Sequence, residues 1–282
     1  MAPQAKALRV IALLHPFPSL LNSLMVAALA LVAGGTLEHA AVLGLGMFGL
    51  QASIGAINDV VDAPIDARVK PFKPIPGGSI SRRGAAAIGV AAGLGGIVVS
   101  LLVGGPVVAG LGLAVLGAGL VYDLFLKPTP YAGLCYAVAF MAVPVYGWWG
   151  VAGALPPRIE LLLPMAALAG PTLQLANGLV DIEGDRMAGL RGPVVVLGCG
   201  RALAILGLLQ LVVHMTAWVT LVTGDATAPT PLAMLAVAAG SLSAAAGWSW
   251  SRSLEPERRE RGWQAQAASI VLLGGGWLAA AL

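Results

Sequence analysis

The stretch Gly84–Val121, GAAAIGVAAGLGGIVVSLLVGGPVVAGLGLAVLGAGLV, contains no charged residue. It is nearly twice the length of about 20 residues that crosses a bilayer as one helix. It therefore reads as two spans, 85–103 and 107–125, with 104–106 turning between them. Continuous Ala, Leu, Val and Gly lack the alternation of a membrane barrel strand, so the spans are expected to be helices. Working outward, seven more apolar stretches of similar length lie at 17–34, 40–57, 131–150, 161–180, 201–222, 229–248 and 264–281. The chain of 282 residues is 58% hydrophobic and 10% charged. Soluble domains are about a quarter charged, so this surplus of apolar surface needs lipid as part of its solvent. The 38 glycines, many beside alanine, suit close packing between membrane helices.

Lys6 and Arg9 before the first apolar run imitate a signal peptide. His15, Pro16 and Pro18 interrupt that run, and similar segments follow, so the run is read as a span and residues 1–8 as a flexible tail. With the N-terminus inside, every Lys and Arg except Arg158 falls on the inner side. The positive-inside rule then predicts a cytoplasmic N-terminus and an external C-terminus. The reading is an all-α, multi-pass plasma-membrane protein: nine transmembrane helices forming one domain over 1–282. Two long cytoplasmic loops, 58–84 and 181–200, contain nearly all of the polar chemistry.

The first loop opens Asn58-Asp59-Val60-Val61-Asp62-Ala63-Pro64-Ile65-Asp66, and the second Asn177-Gly178-Leu179-Val180-Asp181-Ile182-Glu183-Gly184-Asp185. Both contain Asn-x3-Asp-x3-Asp, and spacing by four puts those side chains on one helix face. A row of carboxylates near hydrocarbon repels itself and needs a compensating cation. Oxygen ligands suit Mg²⁺, which keeps waters and shares its shell with phosphate. Pro64 disrupts a helix interior but suits a first helical turn, which leaves Asp62 as either metal ligand or helix cap, with Asp59 as its substitute. Basic residues follow each motif: Arg68, Lys70 and Lys73 after the first, Arg186 and Arg191 after the second, and Lys127 after Tyr122. Cations beside a carboxylate–metal site fit a diphosphate. The bland alternative, anionic lipid contact, applies to each of them and more strongly to Arg252, Arg258, Arg259 and Arg261. Asn22, at the inner end of the first span, is a candidate to face a cavity. His214 reads as a packed residue. Cys135 and Cys199 fit no disulfide or metal pattern. No nucleotide-binding loop, zinc spacing or Ser/His/Asp arrangement is present, and no nucleic-acid partner is expected.

These motifs resemble those of the UbiA superfamily of intramembrane prenyltransferases. Asn58, Asp59, Asp62 and Asp66 match its NDxxDxxxD motif. Asp181 and Asp185 match its second DxxxD, within a stretch similar to DxEGDRxxG. Lys70-Pro71-Phe72-Lys73-Pro74-Ile75-Pro76-Gly77-Gly78 resembles its basic, proline-rich run, and Val121-Tyr122 with Lys127 its fourth-helix Tyr and Lys. The chain departs from the pattern at Arg191-Gly192-Pro193-Val194 and Gly133-Leu134.

The resemblance implies a helical bundle around a cavity, and Mg²⁺-dependent transfer of an isoprenyl chain from a polyprenyl diphosphate to a small-molecule acceptor. Metal ligands would come from Asn58, Asp59, Asp62, Asp66, Asn177, Asp181 and Asp185, with Asp62, Asp66, Asp181 and Asp185 central to catalysis. Lys70, Lys73, Lys127, Tyr122 and Arg186 would bind diphosphate. The acceptor expected is an aromatic quinone precursor. Alternatives are a glycerol-phosphate lipid, a tetrapyrrole, a sugar phosphate or acceptor-free cyclisation. From another class, a transporter also carries intramembrane acids, but usually at the midplane.

Overall fold

A computed structural model describes residues 10–223 and 229–280. The flexible tail expected at 1–8, which includes Lys6, and Arg9 after it lie outside the described residues. The helices are α1 (Pro16–Val32), α2 (Leu37–Val69), α3 (Arg82–Val121), α4 (Ala132–Ala152), α5 (Ile159–Val180), α6 (Ile182–Met187), α7 (Pro193–Leu197), α8 (Cys199–Thr223), α9 (Pro231–Ser251) and α10 (Pro256–Ala280). A π-helical turn, Tyr122–Leu126, continues α3. Among the described residues, six helical segments are long and apolar enough to cross a membrane: Leu37–Val69, Arg82–Leu126, Ala132–Ala152, Ile159–Val180, Cys199–Thr223 and Pro231–Ser251. The expectation was nine. Helix α1 is apolar but has only 17 residues, and α10 opens with the charged turn Pro256–Arg261.

The expected pair of spans, 85–103 and 107–125, forms one helical element that is broken where the turn was placed. Gly105 has φ 72° and ψ −171°, a conformation that L side chains rarely adopt, and Pro106 follows with no N–H to continue the ladder. A Cβ placed on Gly112 would lie 3.5 Å from Ile97 and 3.4 Å from the Ser100 hydroxyl, and one on Gly93 would lie 3.5 Å from Leu116. Residues before and after Gly105 are therefore neighbours, so the halves fold back on each other. Val90, Leu94, Val98 and Leu101 recur every three or four residues and stay exposed. That stripe is what a lipid-facing helix presents.

The helices group into two compact units, residues 1–125 with 142–154, and 126–141 with 155–282. In the first, α2 packs against α1 and α3. The approach to α3 is close because glycines face each other. A Cβ on Gly49 would sit 2.9 Å from the Ala92 carbonyl oxygen, and one on Gly96 2.8 Å from that of Gly46. Small residues let membrane helices gain dispersion contacts that lipid would otherwise supply. Buried in this unit, the hydroxyls of Ser100 and Tyr146 lie 2.7 Å apart. In the second unit, α9 and α10 form the tightest pair, and α5 packs against α8 and α10. His214 lies between the Ser241 and Ser269 hydroxyls, at 3.0 and 3.3 Å, as a packed residue.

The close approach gives a paired test. Gly49→Ala should lower the thermal midpoint of the detergent-purified protein, with an overpacking cost of about 1–3 kcal/mol. Gly95→Ala, whose added methyl meets nothing within 4 Å, should leave it unchanged or raise it. Equal behaviour of the two would refute this packing.

Candidate functional site

The first acidic motif is helical throughout. Residues 58–66 lie inside α2, so the expected loop 58–84 contracts to 70–81, and Asp62 is no cap. Pro64 is accommodated in the helix interior. It has no N–H to give Val60, four residues earlier. The Val60 carbonyl instead accepts from Arg82 Nε at 2.9 Å. At 100° per residue, Asp59, Asp62 and Asp66 fall within about 60° of one another around the helix. Asp59 and Asp66 are buried, at 3% and 5% exposure.

The segment after α2 folds down onto this face. Ile75 and Ile80 pack against Leu13, Ala56 and Ala85. The turn closes with Gly77 N–H to the Lys73 carbonyl at 2.8 Å and Ser79 N–H to that of Pro74 at 2.9 Å. Lys73 is thereby held over the acids. Its Nζ donates to Asp59 Oδ1 at 2.9 Å and to Asp66 Oδ2 at 2.8 Å. Burial alone would lower the Lys73 pKa. Asp59 and Asp66 outweigh burial and raise it to about 12. Because the folded value lies above the ordinary 10.5, the ion pairs stabilise the fold fully below about pH 10 and are lost as pH rises through about 12. Lys73 was expected to bind diphosphate. Here it neutralises the motif.

Two contacts on this helix were not foreseen. His15 Nε2 lies 3.2 Å from Asp59 Oδ1. His15 has φ 46° and ψ 65°, a left-handed conformation that costs about 1–2 kcal/mol for such a residue. Its ring lies against Gly55, where a Cβ would meet it at 2.8 Å. Asn58 Nδ2 donates to Asp123 Oδ1 at 2.8 Å. Asp123 is 4% exposed and sits in the π turn, a geometry enriched at functional sites. A carboxylate only accepts, so the Asn58 amide must turn its N–H₂ to Asp123. The Asn58 carbonyl oxygen, a suitable metal ligand, is then directed elsewhere. An acid inside an apolar stretch was a readable signal for Asp123.

The second motif is helical too, but broken. Asn177 lies in the last turn of α5, which ends at Val180; Asp181 (φ −102°, ψ 7°) is the break, and α6 carries Glu183, Asp185 and Arg186. Hydrogen bonding resumes from Asp185 N–H to the Asp181 carbonyl at 2.9 Å. Gly178 lies against Val194 of α7, so 181–200 is two short helices rather than a long loop. Arg259, in the first turn of α10, is 4% exposed. Its Nη2 reaches the Val180 carbonyl at 3.4 Å and Glu183 Oε2 at 2.5 Å. Its role was not legible in the sequence, where it was one of four basic residues assigned to lipid contact.

The other expected residues are placed as follows. Lys70 ends α2, its N–H on the Asp66 carbonyl at 2.8 Å. Tyr122 opens the π turn, and Lys127 follows it. Asn22 donates to the Pro18 carbonyl of its own helix at 2.9 Å, a simple local role.

Among the described residues no three His, Cys, Asp or Glu side chains gather as a metal cluster. The first motif nevertheless fits a cation, because it already holds one. The Lys73 ammonium gives Asp59 and Asp66 the positive charge that this row of acids requires. A Mg²⁺ ion that keeps waters and phosphate oxygens needs few protein ligands.

Two substitutions should move metal affinity in opposite directions. Lys73→Gln removes the competing cation and should tighten Mn²⁺ binding without donor by about tenfold, the equivalent of about 1.4 kcal/mol. Asp123→Ala releases the Asn58 amide and should weaken it by about tenfold. Electron paramagnetic resonance of free Mn²⁺ reads both; weaker binding by the Lys73 variant would sink the competing-cation reading.

The UbiA prenyltransferase family model matches residues 19–279. Digeranylgeranylglyceryl phosphate synthase of Halobacterium salinarum is 35% identical over 181 residues, 62% of this chain and 64% of that protein. The synthase of Pyrococcus horikoshii is 34% identical over 158 residues, 54% and 53% of the two chains. The chain thus spans less than two thirds of the length of these two curated relatives. Among solved structures, a UbiA homologue from Archaeoglobus fulgidus bound to GPP and Mg²⁺ aligns over 97% of this chain and 100% of its own, with TM-score 0.72 and 19% identity. The apo UbiA homologue from Aeropyrum pernix aligns over 92% and 96%, with TM-score 0.73 and 19% identity. The chain belongs to the UbiA prenyltransferase family and is an integral membrane protein.

Proposed function

We propose that this protein transfers an isoprenyl chain from a polyprenyl diphosphate to a glycerol-phosphate lipid. The observation that carries the donor half is the cation already seated between Asp59 and Asp66 on a helix of matched acids. The sequence alone favoured an aromatic quinone precursor as acceptor. Support for the glycerol-phosphate lipid comes from the relatives, which are digeranylgeranylglyceryl phosphate synthases.

Asn58, Asp62 and Asp66 of the first motif would hold Mg²⁺, as would Asp181 and Asp185 of the second, with Asn177 in support. Bound there, Mg²⁺ neutralises diphosphate charge and stabilises the leaving group. Asp59, held by His15, keeps Lys73 at the edge of the first motif. Lys73 is a single charge on a flexible stem. Mg²⁺ held by the motif would supply the charge that Lys73 supplies to these carboxylates, leaving the Lys73 ammonium to neutralise diphosphate. Lys70, Lys127, Tyr122 and Arg186 bind diphosphate as well. Apolar walls exclude water from the allylic cation formed on ionisation. The acceptor's phosphate adds a second negative group, which the basic residues after both motifs suit. Both motifs face the cytoplasmic side, the side on which the basic residues are concentrated.

Mass spectrometry of products tests this directly. Purified protein with Mg²⁺, a set of polyprenyl diphosphates, and both aromatic and glycerol-phosphate lipid acceptors should give the prenylated lipid and diphosphate. Asp62→Asn and Asp185→Asn should each lower turnover by at least about a hundredfold. Exclusive prenylation of the aromatic acceptor would overturn the acceptor assignment. No diphosphate release with any acceptor would overturn the transferase reading.

A further inference from the structure

Within each acidic motif an arginine from a later helix donates to a backbone carbonyl that the helix itself does not satisfy. In the first motif the carbonyl is Val60, orphaned because Pro64 has no N–H, and the donor is Arg82 Nε at 2.9 Å. In the second it is Val180, the last residue of α5, and the donor is Arg259 Nη2 at 3.4 Å. Both carbonyls lie between the motif's asparagine and its last aspartate. Both arginines sit in the first turn of their own helix, Arg82 opening α3 and Arg259 in the turn Pro256–Arg259 of α10. A cation is disfavoured there, because the helix dipole is positive at that end. Something beyond helix stability therefore accounts for both.

Arg259 shows what it is. Its side chain is 4% exposed, and burying such a charge is expensive unless it is well paired. Besides Val180 and Glu183 it reaches the carbonyls of Ser253 and Leu254, at 3.3 and 3.4 Å, in the turn between α9 and α10. It thus ties three segments together at the residue preceding Asp181. Glu183, its closest partner, lies midway between Asp181 and Asp185 on α6. A planar fork reaches these separated acceptors at fixed angles; an ammonium does not. Lipid contact alone explains neither the burial nor the choice of carbonyls.

We infer that Arg82 and Arg259 are positioning residues, one for each acidic motif: by bonding the carbonyl freed within the motif they fix the direction of its metal-binding carboxylates. The inference rests on reading those carboxylates as metal ligands. Neither arginine touches substrate.

The test is Mn²⁺ affinity, read by electron paramagnetic resonance on detergent-purified protein with inorganic diphosphate, alongside the thermal midpoint. Arg259→Lys keeps the charge for lipid contact and membrane orientation. It should bind Mn²⁺ about tenfold more weakly than the wild type, the usual scale when a support behind a ligand is lost. Arg82→Gln should weaken binding severalfold. Pro64→Ala with Arg82→Gln should restore it, since an alanine in place of the proline supplies the missing N–H to Val60. A merely stabilising role predicts a lower midpoint with unchanged affinity in the folded fraction. Wild-type affinity in Arg259→Lys and Arg82→Gln overturns the inference. So does weakened binding in Arg82→Gln that Pro64→Ala fails to recover. If the Arg259 variant does not fold, the Pro64 and Arg82 set decides alone. Absence of Mn²⁺ binding by the wild type would overturn the metal reading itself, which separates that failure from the failure of the clamp.

Discussion

The Lys73 ammonium lies between two carboxylates that are almost wholly buried, 2.9 Å from Asp59 and 2.8 Å from Asp66. In a chain with so little charge, this contact sets a constraint that the surrounding structure follows. Two acids on one face of a membrane helix cannot both stay ionised without a cation beside them. The turn 70–81 is shaped to bring one there, anchored by Ile75 and Ile80 in the small core around Leu13 and Ala56. His15 gives up a relaxed backbone conformation to face the same carboxylate.

The same shortage of partners acts on the backbone. A backbone carbonyl that its own helix does not satisfy needs another donor. Pro64 and the break at Asp181 each create such a carbonyl, and each is met by a guanidinium from a distant turn. The two motifs thus share a spacing and a remedy without sharing a shape. One is a continuous helix around a proline; the other is two helices meeting at Asp181. Their cations differ as well. Lys73 is partly accessible on a flexible stem and suited to exchange, whereas Arg259 is enclosed and suited to hold.

Most of the architecture was legible in the chain. Apolar runs of membrane length located the helices, and Gly105-Pro106 turns the chain where 104–106 was read as a connection. The count of spans was less legible, because a length rule does not separate a short helix such as α1 from a full crossing. The acidic face was legible from its spacing by four. Its helical character at Pro64 was not, because local rules assign proline to a first turn and cannot see Arg82 arriving from 22 residues away. Asp123 was underread for a related reason: its partner Asn58 is 65 residues distant.

The sequence by itself determined the membrane solvent, the helical class, the family and the rows of acids that need a cation. These depend on composition and on spacing along a single helix, and both are local. Only the tertiary structure decided that Lys73 is that cation in the first motif, that Asn58 is oriented by Asp123, and that Arg259 reaches Val180 and Glu183. Each of these pairs residues that local spacing does not connect. In a low-dielectric interior, the partner a charge finds depends on which segments pack beside it, and neither its residue type nor its neighbours in sequence reveal that.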